Sequence, residues 1–223
     1  MAITVQSEFN GAVNTLVNPT GYSPEVGSKW QDDGSFPCEL NGAGSARKQI
    51  AFSFGYNWTP ASVSNNGTLA ATFTPGNTGQ PFWLEWRATS LLANGYQFGV
   101  TNAGVSALYK DYVLVQSGPT LSIAAHTVII TVQGNVQNVW LDGNTSASDI
   151  SYTDGSSTYT SGFIGWSFDN GNNGLIDRIE WNDVVNTPSA PINSKVAIGS
   201  PNARTNNSII RVSGGRNSMV IRS

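Results

Sequence analysis

The 223-residue chain has room for one sizeable domain, or one domain with an arm, and enough length to bury a core. Gly, Ser, Asn and Thr supply 92 residues while Asp, Glu, Lys and Arg supply 11%, which excludes a charged helical bundle or coiled coil. Hydrophobic residues at 39%, with seven Trp, seven Tyr and nine Phe, exclude wholesale disorder. The net charge of −3 conceals an asymmetry: residues 1–188 carry six basic and fourteen acidic side chains, whereas residues 189–223 carry five basic ones and no acid.

The single Cys38 rules out an intrachain disulfide scaffold and a cysteine-rich zinc site, and the lone His126 rules out a histidine-pair metal motif. His126, opening a buried strand after Ala124-Ala125, reads as structural. The opening residues show no basic stretch followed by an apolar run, so the expectation is synthesis in a host cytoplasm without a signal peptide. No stretch approaches the roughly 18 apolar residues of a membrane helix, so no membrane partner is expected.

Short apolar runs alternate with turn signals along the body, and no amphipathic helix longer than two turns is visible. Strands are expected at 68–74, 81–89, 96–101, 105–110, 112–116, 127–133, 136–141, 162–168 and 175–184. Gly134-Asn135 and Asp142-Gly143 supply the positive-φ positions of tight hairpins, which predicts a meander around residues 127–150. The fold class is therefore all-β, with the strand spacing of a sandwich or jelly roll over residues 1–187. Two prolines and small residues in Asn186-Thr-Pro-Ser-Ala-Pro-Ile192 read as a linker. It leads into an arm, 188–223, where Ser208–Val212 and Ser218–Arg222 form a basic hairpin around a Gly-Gly turn.

The runs Asn94-Gly-Tyr-Gln-Phe-Gly-Val100, Ala107-Leu-Tyr-Lys110, His126–Gly134, Val139-Trp-Leu-Asp-Gly143, Ser161-Gly-Phe-Ile-Gly-Trp166 and Ile176–Val184, in that order, resemble the concanavalin A-like lectin/glucanase superfamily in its laminin-G-like form. Glu8-Phe9 followed by Gly27-Ser-Lys-Trp30 is similar to the opening of that family, and the likeness spans about residues 7–185. The resemblance implies two packed antiparallel sheets and a concave face that binds carbohydrate in many members and hydrolyses it in some. Fold alone does not decide between those roles. The paired-carboxylate strand E-x-D-x-x-E of the hydrolytic branch is absent, so a non-enzymatic protein is expected. A cross-strand pair such as Glu85 with Asp111 is what a hydrolase would need instead.

For binding, alternation along Phe82-Trp-Leu-Glu-Trp-Arg87 sends Phe82, Leu84 and Trp86 to the core and Trp83, Glu85 and Arg87 to the other face. An aromatic plate beside an acid and a guanidinium suits a sugar, which stacks its C–H faces and donates and accepts through hydroxyls. The competing reading pairs Glu85 and Arg87 with neighbouring strands under a covering loop. Tyr96 and Trp58 are secondary candidates; Trp30, Trp140, Trp166 and Trp181 read as packing aromatics. No cofactor is expected, with calcium at the oxygen-rich Phe168–Gly174 loop the exception to test, Asp169 being its one carboxylate.

The hairpin arm is too small to stand alone in water and should pack on its own sandwich or on a neighbouring subunit, through Arg204, Arg211, Arg216 and Arg222. Five basic residues over 35 positions without interleaved aromatics argue little for nucleic acid. A sandwich poor in Cys and Lys, rich in Ser, Thr, Asn and Gly and carrying a basic arm resembles proteins displayed on bacteriophage particles. That resemblance implies a virion surface protein: a capsid decoration, head fibre or tail adhesin, homo-oligomeric, docked on other virion or capsid subunits and offering its sandwich to host glycans. The alternatives are a glycoside hydrolase and a free carbohydrate-binding module.

Overall fold

The computed structural model describes residues 3–18, 20–32, 38–48, 55–58, 63–76, 81–89, 94–101, 103–156, 158–169, 171–189, 210–211 and 220–221. The chain divides into two compact units, Met1–Ser189 and Ala190–Ser223. In the first, the strands are β1 (Ile3–Ser7), β2 (Cys38–Leu40), β3 (Ala46–Lys48), β4 (Gly55–Trp58), β5 (Asn66–Thr74), β6 (Phe82–Ala88), β7 (Tyr96–Val100), β8 (Val105–Lys110), β9 (Val113–Thr120), β10 (His126–Gln133), β11 (Val136–Leu141), β12 (Ile150–Thr153), β13 (Phe163–Phe168) and β14 (Leu175–Asn182). Among the described residues there is no helix.

These strands form two antiparallel sheets. One runs β12-β11-β10-β5-β14-β3-β2, with β1 also pairing β14; the other runs β4-β13-β6-β7-β8-β9. The all-β sandwich read from strand and turn pattern is the architecture observed. Alternation places Leu69, Ala71 and Phe73 of β5 and Phe82, Leu84 and Trp86 of β6 on the inner faces, all buried. Phe73 stacks on Phe82 at 4.9 Å between ring centroids, joining the two sheets. Trp166 is met edge-on by Trp30 at 4.5 Å and by Phe9 at 5.1 Å, so these tryptophans pack the core, as their positions suggest. Burying aromatic side chains of this size contributes about 2–3 kcal/mol each before entropy is counted.

Several details differ from the pattern read in the sequence. The β10–β11 connection is the expected two-residue turn, Gln133 pairing Val136 around Gly134 at φ 56°. Asp142 and Gly143 also have positive φ, 51° and 73°, but they open a longer connection that returns to β12 with Val139 opposite Ile150. The segment expected as a strand from Tyr112 begins one residue later, because Asp111 and Tyr112 form the turn itself, at φ 54° and 60°, with Lys110 opposite Val113. A register shift between Ile176 and Arg178 bulges Asp177 out of β14, where its carboxylate accepts the Ser45 hydroxyl at 2.5 Å.

In the second unit, β15 (Ile210–Arg211) and β16 (Val220–Ile221) pair antiparallel, Ile210 with Ile221 and Arg211 with Val220. Arg204, Arg216 and Arg222, expected to dock a partner, lie outside the described residues, and of Arg211 the structure describes the strand position.

Candidate functional site

Strand register on the six-stranded sheet assembles a polar and aromatic face on the side opposite the main core, most of it buried. Residues paired across antiparallel strands share a face. One row reads Ser167, Trp83, Gly99, Ala107 and Ser117; the next reads Trp58, Gly165, Glu85, Gln97, Tyr109 and Leu114. Trp83 thus stands beside Gly99, which leaves the space its indole fills: a Cβ at position 99 would lie 2.4 Å from the Trp83 ring. Tyr109 and Tyr112 meet the indole edge-on at 4.9 and 5.3 Å between centroids. Trp83 is 8% exposed, Tyr109 and Tyr112 are half-buried, and Leu114 at the edge is exposed.

Tyr112 reaches this face because the turn turns its side chain back over the sheet. Its amide donates to Gln97 Oε1 at 3.1 Å, and its hydroxyl donates to Glu85 Oε1 at 3.0 Å. Left-handed backbone at a tyrosine is strained, of order 1 kcal/mol, and persists where surrounding contacts fix it. Ser167 donates to the same Glu85 oxygen at 3.3 Å. Both bonds converge on Oε1, which leaves Oε2 as the acceptor available to a ligand. Glu85 is 5% exposed, and burial pushes its carboxyl up to about 7, against the opposing pull of the Tyr112 and Ser167 hydrogen bonds. Burial, and then the Glu85 charge, raise the Tyr112 hydroxyl far above the ordinary tyrosine value, so it remains a donor.

Trp58 lies on this face two strands from Glu85, about 10 Å at ordinary strand spacing, with Gly165 between them and contributing no side chain. Arg87 and Tyr96 do not join it. A register shift in the β13–β6 pairing, with Arg87 at φ 51°, breaks the alternation on which Arg87 was expected beside Glu85. Arg87 is fully buried and donates to the carbonyls of Gly134 (2.8 Å), Tyr159 (2.9 Å) and Asn65, and to Asn65 Oδ1 at 3.0 Å. Its guanidinium ties three loops rather than facing a ligand. Tyr96 pairs with Trp86 on the core side, stacks on it at 6.0 Å, and donates its hydroxyl to buried Asp154 at 2.7 Å. Burial alone would raise the Asp154 carboxyl; bonds from Ser156, Tyr96 and Lys110 outweigh it and hold the group well below the usual range.

Asp111, the partner a hydrolase would have needed for Glu85, accepts the Gly95 amide at 3.0 Å and the Tyr159 hydroxyl at 2.8 Å, both on Oδ1. Asp169 follows β13 on the Glu85 side; its carbonyl accepts the Asn172 amide at 3.0 Å and faces the Lys48 ammonium at 3.5 Å. Asn172 Oδ1 accepts the Gly174 amide at 2.6 Å. Oxygens engaged by N–H donors, with an ammonium at hand, match a hard cation poorly. Among the described residues no three His, Cys, Asp or Glu side chains gather around one point.

His126 is bonded at both ring nitrogens, Nδ1 to Asp142 Oδ2 at 2.7 Å and Nε2 to Ser122. The order Ser122, His126, Asp142 is that of a nucleophile triad, but Nε2 lies closer to the Ser122 carbonyl (3.0 Å) than to its Oγ (3.2 Å). His126 Nε2 thus faces the backbone of its own turn as well as the Ser122 hydroxyl. The group closes the turn before β10, the structural role read for this histidine.

Tyr109 and Tyr112 were missed as site residues. Tyr109 was legible, since Leu108 at a core position sends its neighbour outward. Tyr112 was not, because its turn lacks the Asn-Gly or Asp-Gly signature.

Comparison with known proteins agrees with this geometry at the level of the fold. No family model and no curated protein matches the chain. Among solved structures, the carbohydrate-binding module CBM66 from Bacillus subtilis is similar over 79% of this chain and 94% of its own, at 14% identity and a TM-score of 0.52. The shared fold is the two-sheet antiparallel β-sandwich. The exoplasmic/lumenal domain of VIP36 in its Ca2+/Man2-bound form matches over 78% of this chain and 90% of its own (11% identity, TM-score 0.56). A metal-free form of the same domain matches at TM-score 0.57, with 11% identity, over 78% of this chain and 92% of its own. These neighbours share with the chain the two-sheet sandwich that the ordered motifs implied.

Proposed function

We propose that the sandwich is a non-enzymatic carbohydrate-binding domain, and that the chain is a virion surface protein whose basic arm anchors it to other particle subunits while the sandwich meets host glycans. The observation that carries the binding role is the Trp83 face: an indole walled by Tyr109 and Tyr112, beside a buried carboxyl with one uncommitted oxygen. Aromatic planes take the C–H face of a pyranose, and the free Oε2 accepts a hydroxyl. The likeness to a carbohydrate-binding module and to the VIP36 exoplasmic/lumenal domain in its Ca2+/Man2-bound form supports the same role.

The virion role rests on the contrast between a body of net −8 and an arm of net +5 and on the resemblance to displayed phage proteins. A glycan-array screen of the full chain beside Trp83→Ala tests the first part: signal that the variant loses supports it, and silence from folded protein overturns it. Banding of the full chain with particles in a density gradient tests the second. Replacing Arg204, Arg211, Arg216 and Arg222 together by Ser should release it, and unchanged banding contradicts an anchoring arm.

A further inference from the structure

Resting on that binding role, we infer that the Trp83 face takes a neutral glycan, held by hydroxyls donating to Glu85, and turns away glycans bearing carboxylate or sulfate. Charge placement carries this. Among the described cations, Arg47 donates to Glu39 at 2.9 Å, Arg178 to Glu180 at 2.5 Å and Lys110 to Asp154 at 2.9 Å, while Arg87 is spent on carbonyls. Lys48 is turned to the Asp169 carbonyl, and Lys29 lies on the loop that bridges Trp58 through Gln31, across Gly165 from Glu85. The elements around Glu85 present Tyr112 from the β8–β9 turn, Tyr109 from β8, Gln97 from β7 and Ser167 from β13.

None of these four is cationic, and the next titratable acid on this side, Asp169, lies near enough to oppose ionisation of Tyr112. An anionic ligand would therefore meet a like charge that is 5% exposed, where water screens little, with no guanidinium or ammonium among the described groups bonded to Glu85 or paired beside it. A hydroxyl meets an acceptor with nothing to repel it. Ionisation of Glu85 sharpens the discrimination, so selectivity rises with pH.

The test is a binding panel on the full chain, with unsubstituted manno-, gluco- and galacto-oligosaccharides set against sialyllactose, alginate and polygalacturonate oligosaccharides, read at pH 5.5 and 8.5. Wild type should favour the neutral probes by about tenfold or more at pH 8.5 and by less at pH 5.5. Glu85→Gln keeps an acceptor for Tyr112, and should narrow the gap and remove its pH dependence. A melting curve for each variant shows that it is folded. Preference for an anionic probe that Trp83→Ala abolishes would overturn the charge inference and leave the binding role standing. Silence across the panel would overturn both.

Discussion

Glu85 and Arg87 sit two residues apart on one strand, both buried, yet the chain uses them in opposite ways. Glu85 keeps the alternation, looks out from the six-stranded sheet and has one oxygen committed to two hydroxyls. Arg87 sits at the bulge, turns away from that face and spends its guanidinium on the carbonyls of Gly134, Tyr159 and Asn65. A buried charge whose terminal nitrogens each make two hydrogen bonds, with only its Nε unpaired, marks a structural staple. One whose bonding is left open beside aromatic rings marks a place for a ligand.

Mutations can break this comparison at either end. Arg87→Met should cost most, about 3–5 kcal/mol, because it removes a fully buried guanidinium whose hydrogen bonds join three loops. Urea unfolding would show it, and a loss below about 1 kcal/mol would mean that the loops do not depend on the guanidinium. Trp83→Ala should weaken glycan binding by about thirtyfold, the weight of a central aromatic anchor, with a melting temperature that still reports a folded sandwich. Gly99→Ala should have a smaller effect in the same direction, since its methyl would press on the Trp83 ring from 2.4 Å. Affinity left unchanged there would place the ligand elsewhere.

The pH dependence of stability sharpens the Glu85 end. Its folded value of about 7 is raised above the ordinary 4.5, so the protonated carboxyl favours the fold. That contribution is complete below about 4.5, falls away as pH rises through about 7, and amounts to about 3 kcal/mol across the window. Glu85→Gln should flatten this part of the stability profile, and an identical slope in the variant would assign it to other groups. Chelation should do least: with an ammonium and amide donors on the Asp169 loop, EDTA should leave melting unchanged, and a clear drop would assign that loop to calcium.

The sandwich was legible because its long strands alternate cleanly and its turns carry glycine, as at Gly134. The three-residue strands Cys38–Leu40 and Ala46–Lys48 were not, since three positions set no period. At the site, Trp83 and Glu85 followed from alternation. Arg87 did not, because a bulge shows no sequence sign when its left-handed residue is an arginine, and Tyr96 did not, because its alternation depends on pairing with Trp86.

Hydrogen exchange on the full chain, with and without the glycan that binds best, locates the ligand most directly. Slower exchange confined to β6, β7 and the β8–β9 turn is the predicted result. Protection on the eight-stranded sheet, with none around residues 82–86 and 109–113, would contradict a glycan site at Trp83 and Glu85.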